Sequence, residues 1–255
     1  MNAISPTRRL RPRPRTTWAR TAAWAVGLLA LTGCEVPDFG APHGATTQGK
    51  DTFHLWQGAV LTALVVGVIV WGLIFYVIIR YRRRDDEIPS QRDKNIPLEI
   101  AYTIVPIIIV AGLFYFTVTT QDRVDKVAAH PAVQIDVTGF QWGWKFQYTG
   151  TPITVISQGD TKPALVLPVD QTTRITLRSV DVVHGFYVPE FLFKRDAVPG
   201  LVNTFDFHPV RTGTFLGHCS VFCGLRHADM LFNVSVLSRA DYGRWLSDQQ
   251  AKGTS

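Results

Sequence analysis

Apolar and polar positions divide the chain into a membrane-type first half and a β-type second half. Leu55 to Ile79 is apolar apart from Gln57, Thr62 and scattered glycines, and a run of about 25 residues can cross a bilayer with some tilt. Ile104 to Val118 is shorter, but it reaches spanning length together with Ile96 to Tyr102. A pair of buried helices in a soluble protein fits poorly, because the first run has no polar face. The pattern predicts a two-helix transmembrane hairpin.

The segment between the two runs is strongly basic. Because cytoplasmic loops carry an excess of Lys and Arg, this loop is predicted to be cytoplasmic and both ends of the hairpin to lie on the outer face. Six basic residues carry the prediction: Arg80, Arg82, Arg83, Arg84, Arg92 and Lys94. We place the hairpin at residues 52–120, preceded by an outer segment at residues 34–51.

The first residues have the features of a secretory signal, which we place at residues 1–33. Six arginines precede a short apolar run, Ala22 to Ala30, and small residues then lead to Cys34. Leu31-Thr32-Gly33-Cys34 resembles the lipobox of bacterial lipoproteins, in which the cysteine is acylated and becomes the new N-terminus. The alternatives are an ordinary export signal and a membrane helix with an incidental cysteine.

The positive net charge of the chain belongs to this signal. The chain has 26 basic and 20 acidic residues, and the signal contains six of the arginines and no acid. The remaining chain therefore has 20 of each and no net charge. The sequence gives no support to nucleic-acid binding.

From Val133 onward, short β-type runs alternate with Gly and Pro, which predicts an all-β sandwich or barrel. We place this domain at residues 121–240. Ser238 with Asp241 three residues later predicts the start of a C-terminal helix, so residues 241–255 form a helix and tail. Seven runs are predicted as strands: Val133–Thr138, Trp142–Tyr148, Ile153–Ile156, Ala164–Leu167, Thr173–Leu177, Thr204–Phe207 and Leu231–Val236.

Sulfur is concentrated in one segment, residues 217–230. It contains Cys219 and Cys223, two of three cysteines, and Met230, the only methionine after the initiator. Thiolate, imidazole and thioether are ligands typical of copper, and a mononuclear blue-copper site uses one cysteine rather than two. Two thiolates that bridge two coppers, each with one imidazole, would share an electron with little change in geometry. His227 supplies one imidazole.

His184 supplies the second imidazole, because it lies between apolar residues that would exclude water. Such a histidine is otherwise often a plain core residue. His218 adjoins Cys219, and we expect its side chain to point away from the metal. The remaining histidines have no comparable context and are predicted to be surface or loop residues: His43, His54, His130 and His208.

These residues resemble subunit II of haem-copper cytochrome c oxidases over about Thr52 to Leu237. The segments that carry the resemblance are Leu98-Glu99-Ile100, Gln141-Trp142-Gly143-Trp144, Asp181 to Pro189, Lys194 to Gly200 and Cys219 to Met230.

The resemblance implies a cupredoxin-like Greek-key barrel on the outer face with a binuclear copper centre, CuA. It implies that Cys219 and Cys223 bridge the coppers and that His184 and His227 are terminal ligands. Met230 corresponds to a weak axial ligand on one copper.

Val221 is where the chain departs from the family. The resemblance implies that its backbone carbonyl is the remaining copper ligand, which any side chain permits. The family has a glutamate here that also reaches a magnesium ion at the boundary with the catalytic subunit. Valine has no carboxylate, so that magnesium site is predicted to be absent or to use other ligands.

Three further roles follow from the resemblance. Trp142 corresponds to the tryptophan through which an electron enters from cytochrome c, although strand aromatics otherwise serve packing. Asp181 corresponds to an acidic docking residue for that cytochrome. Glu99 corresponds to the mouth of a proton channel, where a charged interfacial anchor is the plain alternative.

The resemblance implies a subunit that accepts electrons from cytochrome c and passes them to haem in subunit I, which holds the haems and CuB. Oxygen reduction and proton translocation would occur there, in a bacterial inner membrane, with subunit III as a further partner. The weak charge of the outer domain favours a membrane-bound or dedicated cytochrome donor.

The CuA subunit of a nitric oxide reductase is the alternative, because the difference lies in the partner. A nitrous oxide reductase is disfavoured, because its large catalytic domain is missing. A copper chaperone or thiol–disulfide protein does not explain His184, His227 and Met230 together. A quinol oxidase subunit is excluded if the copper ligands are real.

Overall fold

A computed structural model describes residues 38–83, 91, 93–158, 162 and 164–253. The predicted signal peptide and Cys34 lie outside these residues, as do two of the six basic residues of the predicted cytoplasmic loop, Arg84 and Arg92. The predictions for those positions stay predictions.

Two long helices form the first part of the described chain, α1 (Thr47–Arg80) and α2 (Ile96–Asp125). Both are long and apolar enough to cross a membrane. The side chain of Thr46 accepts a hydrogen bond from the Gly49 N–H at 2.9 Å and caps α1. Helix α1 begins eight residues before the apolar run that starts at Leu55. These first turns of the helix are polar and lie against the β-strand domain that follows in the chain.

The second part is a sandwich of two five-stranded sheets, with strand orders β3-β2-β1-β5-β8 and β4-β10-β9-β6-β7. β1 pairs with β5, and β4 with β10, in parallel; the other pairs are antiparallel. The strands of the described chain are β1 (Val133–Phe140), β2 (Gly143–Tyr148), β3 (Thr154–Gln158), β4 (Ala164–Pro168), β5 (Thr173–Ser179), β6 (His184–Val188), β7 (Phe193–Ala197), β8 (Asn203–Phe207), β9 (Gly213–Cys219) and β10 (Leu231–Leu237).

The predicted fold class, a transmembrane hairpin followed by an all-β cupredoxin-like domain, is confirmed. The seven predicted runs correspond to strands, and β6, β7 and β9 were not predicted as strands. β7 carries three consecutive charged residues, and β9 has two glycines and few β-branched residues, so neither has the usual pattern. These segments form strands because neighbouring strands of the sheet pair with them.

The core between the sheets is aromatic. Trp144 packs edge-on against Phe186 and Phe232, with ring centroids 5.6 Å apart in both pairs. A helix α3 (Arg239–Gly253) follows the sandwich, and Ser238 Oγ accepts a hydrogen bond from the Asp241 N–H at 3.1 Å, as the sequence predicts.

A buried ion pair connects the end of α2 to the sandwich. Arg174 Nε lies 2.8 Å from Asp206 Oδ1, and Asp206 is almost fully buried. The Ala128 N–H donates to Asp206 Oδ2 at 2.6 Å, and Arg174 donates to the Ala128 carbonyl. Because each partner is satisfied, the pair fixes the linker after α2 against β5 and β8.

Candidate metal centre

The loop that follows β9 brings the two thiols of the predicted copper segment together. Cys219 ends β9, where its N–H donates to the Met230 carbonyl at 3.1 Å. Cys223 Sγ lies 3.9 Å from Cys219 Sγ, and both cysteines are buried and free. The loop therefore folds back on itself around a small volume.

His184 faces this volume from the first position of β6. Its side chain is fully buried, and Nε2 lies 2.8 Å from Asp181 Oδ1. Nδ1 is also buried and has no hydrogen-bond partner. One ligand atom from each of His184, Cys219 and Cys223 lies within 4.8 Å of the other two, an arrangement that could hold a metal ion.

The other predicted ligands lie around the two sulfurs. His227 Nδ1 is 3.6 Å and Met230 Sδ is 3.8 Å from Cys223 Sγ. The Val221 carbonyl oxygen is 3.2 Å from Cys219 Sγ. The structure thus brings all six predicted ligand residues together.

This set of donors fits copper. Two thiolates, two imidazoles and a thioether are soft or intermediate ligands, and one carbonyl oxygen completes the set. The unpartnered Nδ1 of His184 is the observation that a metal would explain, since buried polar atoms otherwise find a partner. Bound copper would supply one-electron redox chemistry at this position.

The two thiols differ in acidity. Burial would raise the pKa of Cys219, but the neighbouring His184 imidazole and a hydrogen bond from the Gly185 N–H favour the thiolate and lower the pKa to about 6. Burial and the neighbouring Cys219 thiolate raise the pKa of Cys223 to about 12. The lowered pKa of Cys219 favours its thiolate, which is the form that binds a cation.

The carboxylate of Asp181 forms hydrogen bonds with groups beside the metal site. Its carboxylate accepts from the Gln141 N–H at 2.7 Å and from the Val182 N–H at 2.6 Å, besides its contact with His184. Burial would raise the pKa of Asp181, but these bonds lower it, so the carboxylate is charged and fixes the ring of His184. The predicted docking role of Asp181 stays a prediction.

Trp142 lies against the metal loop. Its indole Nε1 donates to the Cys223 carbonyl at 3.1 Å, and Gln141 Nε2 donates to the same oxygen at 2.7 Å. Trp144 does not share this position, although the two-residue spacing predicts that it would. Trp142 lies in the turn before β2, whereas Trp144 lies on β2 itself. Trp144 is therefore fully buried, with its ring centroid 6.1 Å from that of His184.

Two other predicted positions have clear local contacts. Glu99 lies in the first turn of α2, where its carboxylate accepts from the Asn95 N–H at 3.0 Å and caps the helix. His218 Nδ1 lies 3.0 Å from the Cys219 carbonyl, and its ring packs edge-on against Tyr187 at 5.0 Å. The predicted proton-channel role of Glu99 stays a prediction.

Sequence reasoning gave no role to Gln141 or Gly185. A Cβ at Gly185 would lie 2.3 Å from Ser220 Oγ and 3.0 Å from the Val221 side chain, so the metal loop can approach β6 only at a glycine. The one available signal was that both residues occur in segments that carry the family resemblance.

Comparison with known proteins identifies the family. A family model described as the periplasmic domain of cytochrome c oxidase subunit II matches residues 133–237, and the model of the transmembrane domain of that subunit matches residues 36–118. A probable cytochrome c oxidase subunit 2 of Streptomyces avermitilis is 38% identical, covering 89% of this chain and 84% of the relative. The chain belongs to the cytochrome c oxidase subunit II family.

Other members of the family are similar to the same extent. Cytochrome c oxidase subunit 2 of Mycobacterium tuberculosis is 35% identical, covering 88% of this chain and 80% of the relative. The crystal structure of the periplasmic domain of subunit II of cytochrome oxidase from Bradyrhizobium japonicum is 30% identical. The match covers 49% of this chain and 99% of the Bradyrhizobium japonicum chain, with a TM-score of 0.46. The matches to the family models and to the curated relatives make the chain a CuA-domain subunit of the haem-copper oxidases.

Proposed function

We propose that this chain is the electron-accepting subunit of a respiratory haem-copper oxidase in a bacterial inner membrane. A cytochrome c outside the membrane gives its electron at the site of His184, Cys219 and Cys223, and the electron passes to haem in subunit I. Oxygen reduction and proton translocation occur in that partner, which holds the haems and CuB.

The observation that carries the proposal is the convergence of the donor atoms around two thiols 3.9 Å apart. Residues of this chain prepare the site. The Asp181 carboxylate fixes the orientation of the His184 ring beside the sulfurs, and the surrounding core excludes water. The thiolate of Cys219 supplies negative charge that a cation neutralises.

In this proposal the electron enters the metal site through the indole ring of Trp142. Its indole bonds directly to the backbone of Cys223, so one hydrogen bond connects the half-exposed ring to a ligand residue. In the same proposal Cys34 carries a lipid, subunit III is a further partner, and Glu99 lies at the mouth of a proton channel.

The purified oxidase complex tests this function. In a Cys223→Ser complex, oxygen consumption with ferrocytochrome c should fall by about a hundredfold or more, because a bridging ligand is missing. Small reductants should still reduce the haems of the partner. A Ser247→Ala complex is the control, because this hydroxyl only bonds within α3. Full activity of the Cys223→Ser complex would contradict the proposal.

The same preparation separates oxygen from nitric oxide as the acceptor. The proposal expects steady oxygen consumption with ferrocytochrome c. Consumption of nitric oxide alone would assign the chain to a nitric oxide reductase instead.

A further inference from the structure

The two helices of the hairpin leave an open groove between them, hereafter the hairpin groove. It is lined by residues within 51–62 of α1 and 108–123 of α2, and its volume of about 520 Å³ is typical of ligand sites. It lies at the end of the hairpin next to the β domain, because Thr46 and Ala128, just beyond it on the two helices, bond to that domain. None of its lining residues belongs to the metal centre.

The walls of the hairpin groove are apolar and include two open glycine positions. Leu113 and Phe116 line it from α2. A Cβ at Gly58 or at Gly112 would meet no atom of the other helix within 4 Å, so the helices leave space beside both glycines. At the inner end, the Thr62 hydroxyl donates to the Gly58 carbonyl of its own helix at 2.8 Å. The walls therefore suit an apolar ligand, because their polar group is already satisfied.

The hairpin groove is as long as one leaflet of a bilayer. Its lining on α2 runs from Ile108 to Arg123, which is about 22 Å along an α-helix. One leaflet with its head groups is about 20 to 22 Å thick. On α1, Asp51 lies one turn before Leu55, where the apolar run begins. The outer mouth of the groove therefore lies at the membrane boundary and its inner end lies near the middle of the bilayer.

The width of the hairpin groove excludes a helix. A volume of about 520 Å³ over about 22 Å gives a mean cross-section of about 24 Å². A helix with its side chains has a diameter of at least about 10 Å and a cross-section of roughly 80 Å². The groove therefore admits an extended acyl chain and not a helix.

One base and one acid lie at the mouth of the hairpin groove. Arg123 Nε is 3.7 Å from Asp51 Oδ2, which is too long for a hydrogen bond. Arg123 Nη2 donates to the Thr120 hydroxyl at 3.1 Å, and this contact holds the guanidinium at the mouth. Arginine has five N–H donors, so both charged groups can bond to a ligand. The exposed ring of His54 lines the same mouth.

We propose that the hairpin groove binds one phospholipid whose zwitterionic head group carries a phosphate and a primary ammonium, as in phosphatidylethanolamine. Its acyl chain lies beside Gly58 and Gly112, its phosphate accepts hydrogen bonds from Arg123, and its ammonium donates to Asp51. An anionic lipid without an amine would bring negative charge next to the Asp51 carboxylate with no group to neutralise it. The proposal does not depend on electron transfer at the metal centre.

Native mass spectrometry of the full-length chain, purified in mild detergent, gives the first test. The probes are phosphatidylethanolamine and phosphatidylglycerol with identical dioleoyl chains. We expect one equivalent of phosphatidylethanolamine to bind about fivefold more tightly than phosphatidylglycerol, the factor expected of one exposed ion pair in favourable geometry. Equal binding of the two lipids would overturn the proposal.

Substitutions in the walls give the second test. Gly58→Leu and Gly112→Leu each place a side chain where the acyl chain lies, so the affinity for phosphatidylethanolamine should fall about tenfold or more. Gly72→Leu is the matched control, because Gly72 is exposed on α1, has equally open space and lies outside the hairpin groove. Its affinity should stay at the native value. Native affinity in both groove variants would show that the lipid does not occupy the groove.

Substitutions at the mouth test the head group. In Asp51→Asn the ammonium loses its partner and the repulsion of phosphatidylglycerol disappears, so the fivefold preference should fall below about twofold. Arg123→Gln should weaken the binding of both lipids, because both carry the phosphate. A fivefold preference that persists in Asp51→Asn would contradict the role of the carboxylate.

The intact oxidase complex decides whether the site is occupied in the assembly. The lipid content of the native complex should exceed that of a Gly58→Leu complex by one phosphatidylethanolamine, and a Gly72→Leu complex should match the native one. Equal lipid content of the native and Gly58→Leu complexes would mean that a partner subunit fills the hairpin groove, and the proposal would be wrong.

Discussion

Asp181 Oδ1 lies 2.8 Å from Nε2 of His184, and the ring of His184 lies beside the two thiols. A carboxylate that bonds the outer nitrogen of a histidine fixes both its tautomer and its orientation. Asp181 is therefore a positioning residue for the metal site, in addition to any role at the surface.

Replacing Asp181 should weaken copper binding. Removal of such a supporting carboxylate typically lowers metal affinity about 10- to 100-fold, so we expect Asp181→Ala to lose copper to a chelator at a correspondingly lower concentration. Asp136→Asn is the control, because Asp136 lies 3.9 Å from Arg178 and does not contact the metal loop. Equal copper affinity of the Asp181→Ala and native chains would contradict this role.

Replacing Trp142 should slow electron transfer without removing the copper. Trp142→Ala deletes the indole that bonds the Cys223 carbonyl, and we expect the rate of reduction by cytochrome c to fall about thirtyfold, the equivalent of a 2 kcal/mol interface hot spot. Stopped-flow absorbance measures the rate. Trp245→Phe is the control, since Trp245 packs against Tyr148 at the C-terminal helix. A slowed Trp245→Phe variant, or an unaffected Trp142→Ala variant, would count against the assignment.

The metal-free chain should titrate one thiol near neutral pH. Cys219 has a pKa lowered to about 6 and Cys223 one raised to about 12. We expect thiolate absorbance to rise with a midpoint at about pH 6, and Cys219→Ser to abolish that step. A Cys223→Ser variant should retain it. A single step above pH 9 in the native chain would be the opposite result.

The same shifts predict how the stability of the metal-free chain depends on pH. Because the pKa of Cys219 is lower in the folded chain, the unfolded chain binds more protons in the range between the two pKa values. The stabilisation of the folded chain by the Cys219 thiolate is therefore complete above the ordinary thiol pKa and is lost as pH falls through about 6. The raised pKa of Cys223 has the opposite effect on stability, and the stabilisation associated with the protonated Cys223 thiol is lost as pH rises through about 12. Urea unfolding of the native chain and of Cys219→Ser between these limits measures both effects.

Val221 leads to a prediction about magnesium. Its carbonyl faces Cys219 and is independent of the side chain, whereas the side chain has no carboxylate. We expect the purified complex to lack the boundary ion that the resemblance implies or to hold it with other ligands, and Val221→Glu to restore the carboxylate ligand. Growth in manganese and measurement of the bound metal test this. Stoichiometric magnesium in the native complex, with its usual coordination, would contradict the prediction.

The hairpin could be predicted because its signal is local: apolar runs of spanning length and a basic loop. Most strands were likewise visible as β-branched runs. β7 was not, because Lys194, Arg195 and Asp196 become a strand only through pairing with β6, which the sequence pattern does not reveal.

The ligand residues could be predicted because their chemistry is rare and mostly concentrated in one segment. The residues that position these ligands could not be predicted from the sequence. Gln141 reaches the Cys223 carbonyl across 82 positions of the chain, and Asp181 reaches the Gln141 N–H across 40. Contacts of this kind depend on the packing of loops at one end of the sandwich, and no local pattern encodes them.

Electron paramagnetic resonance of the full-length chain, purified in detergent and loaded with copper, tests the central claim most directly. The arrangement of Cys219, Cys223, His184 and His227 predicts copper hyperfine structure shared equally by two nuclei, and Cys219→Ser should remove it. A spectrum with the hyperfine pattern of one copper nucleus, or no bound copper at all, would contradict a binuclear centre at this site.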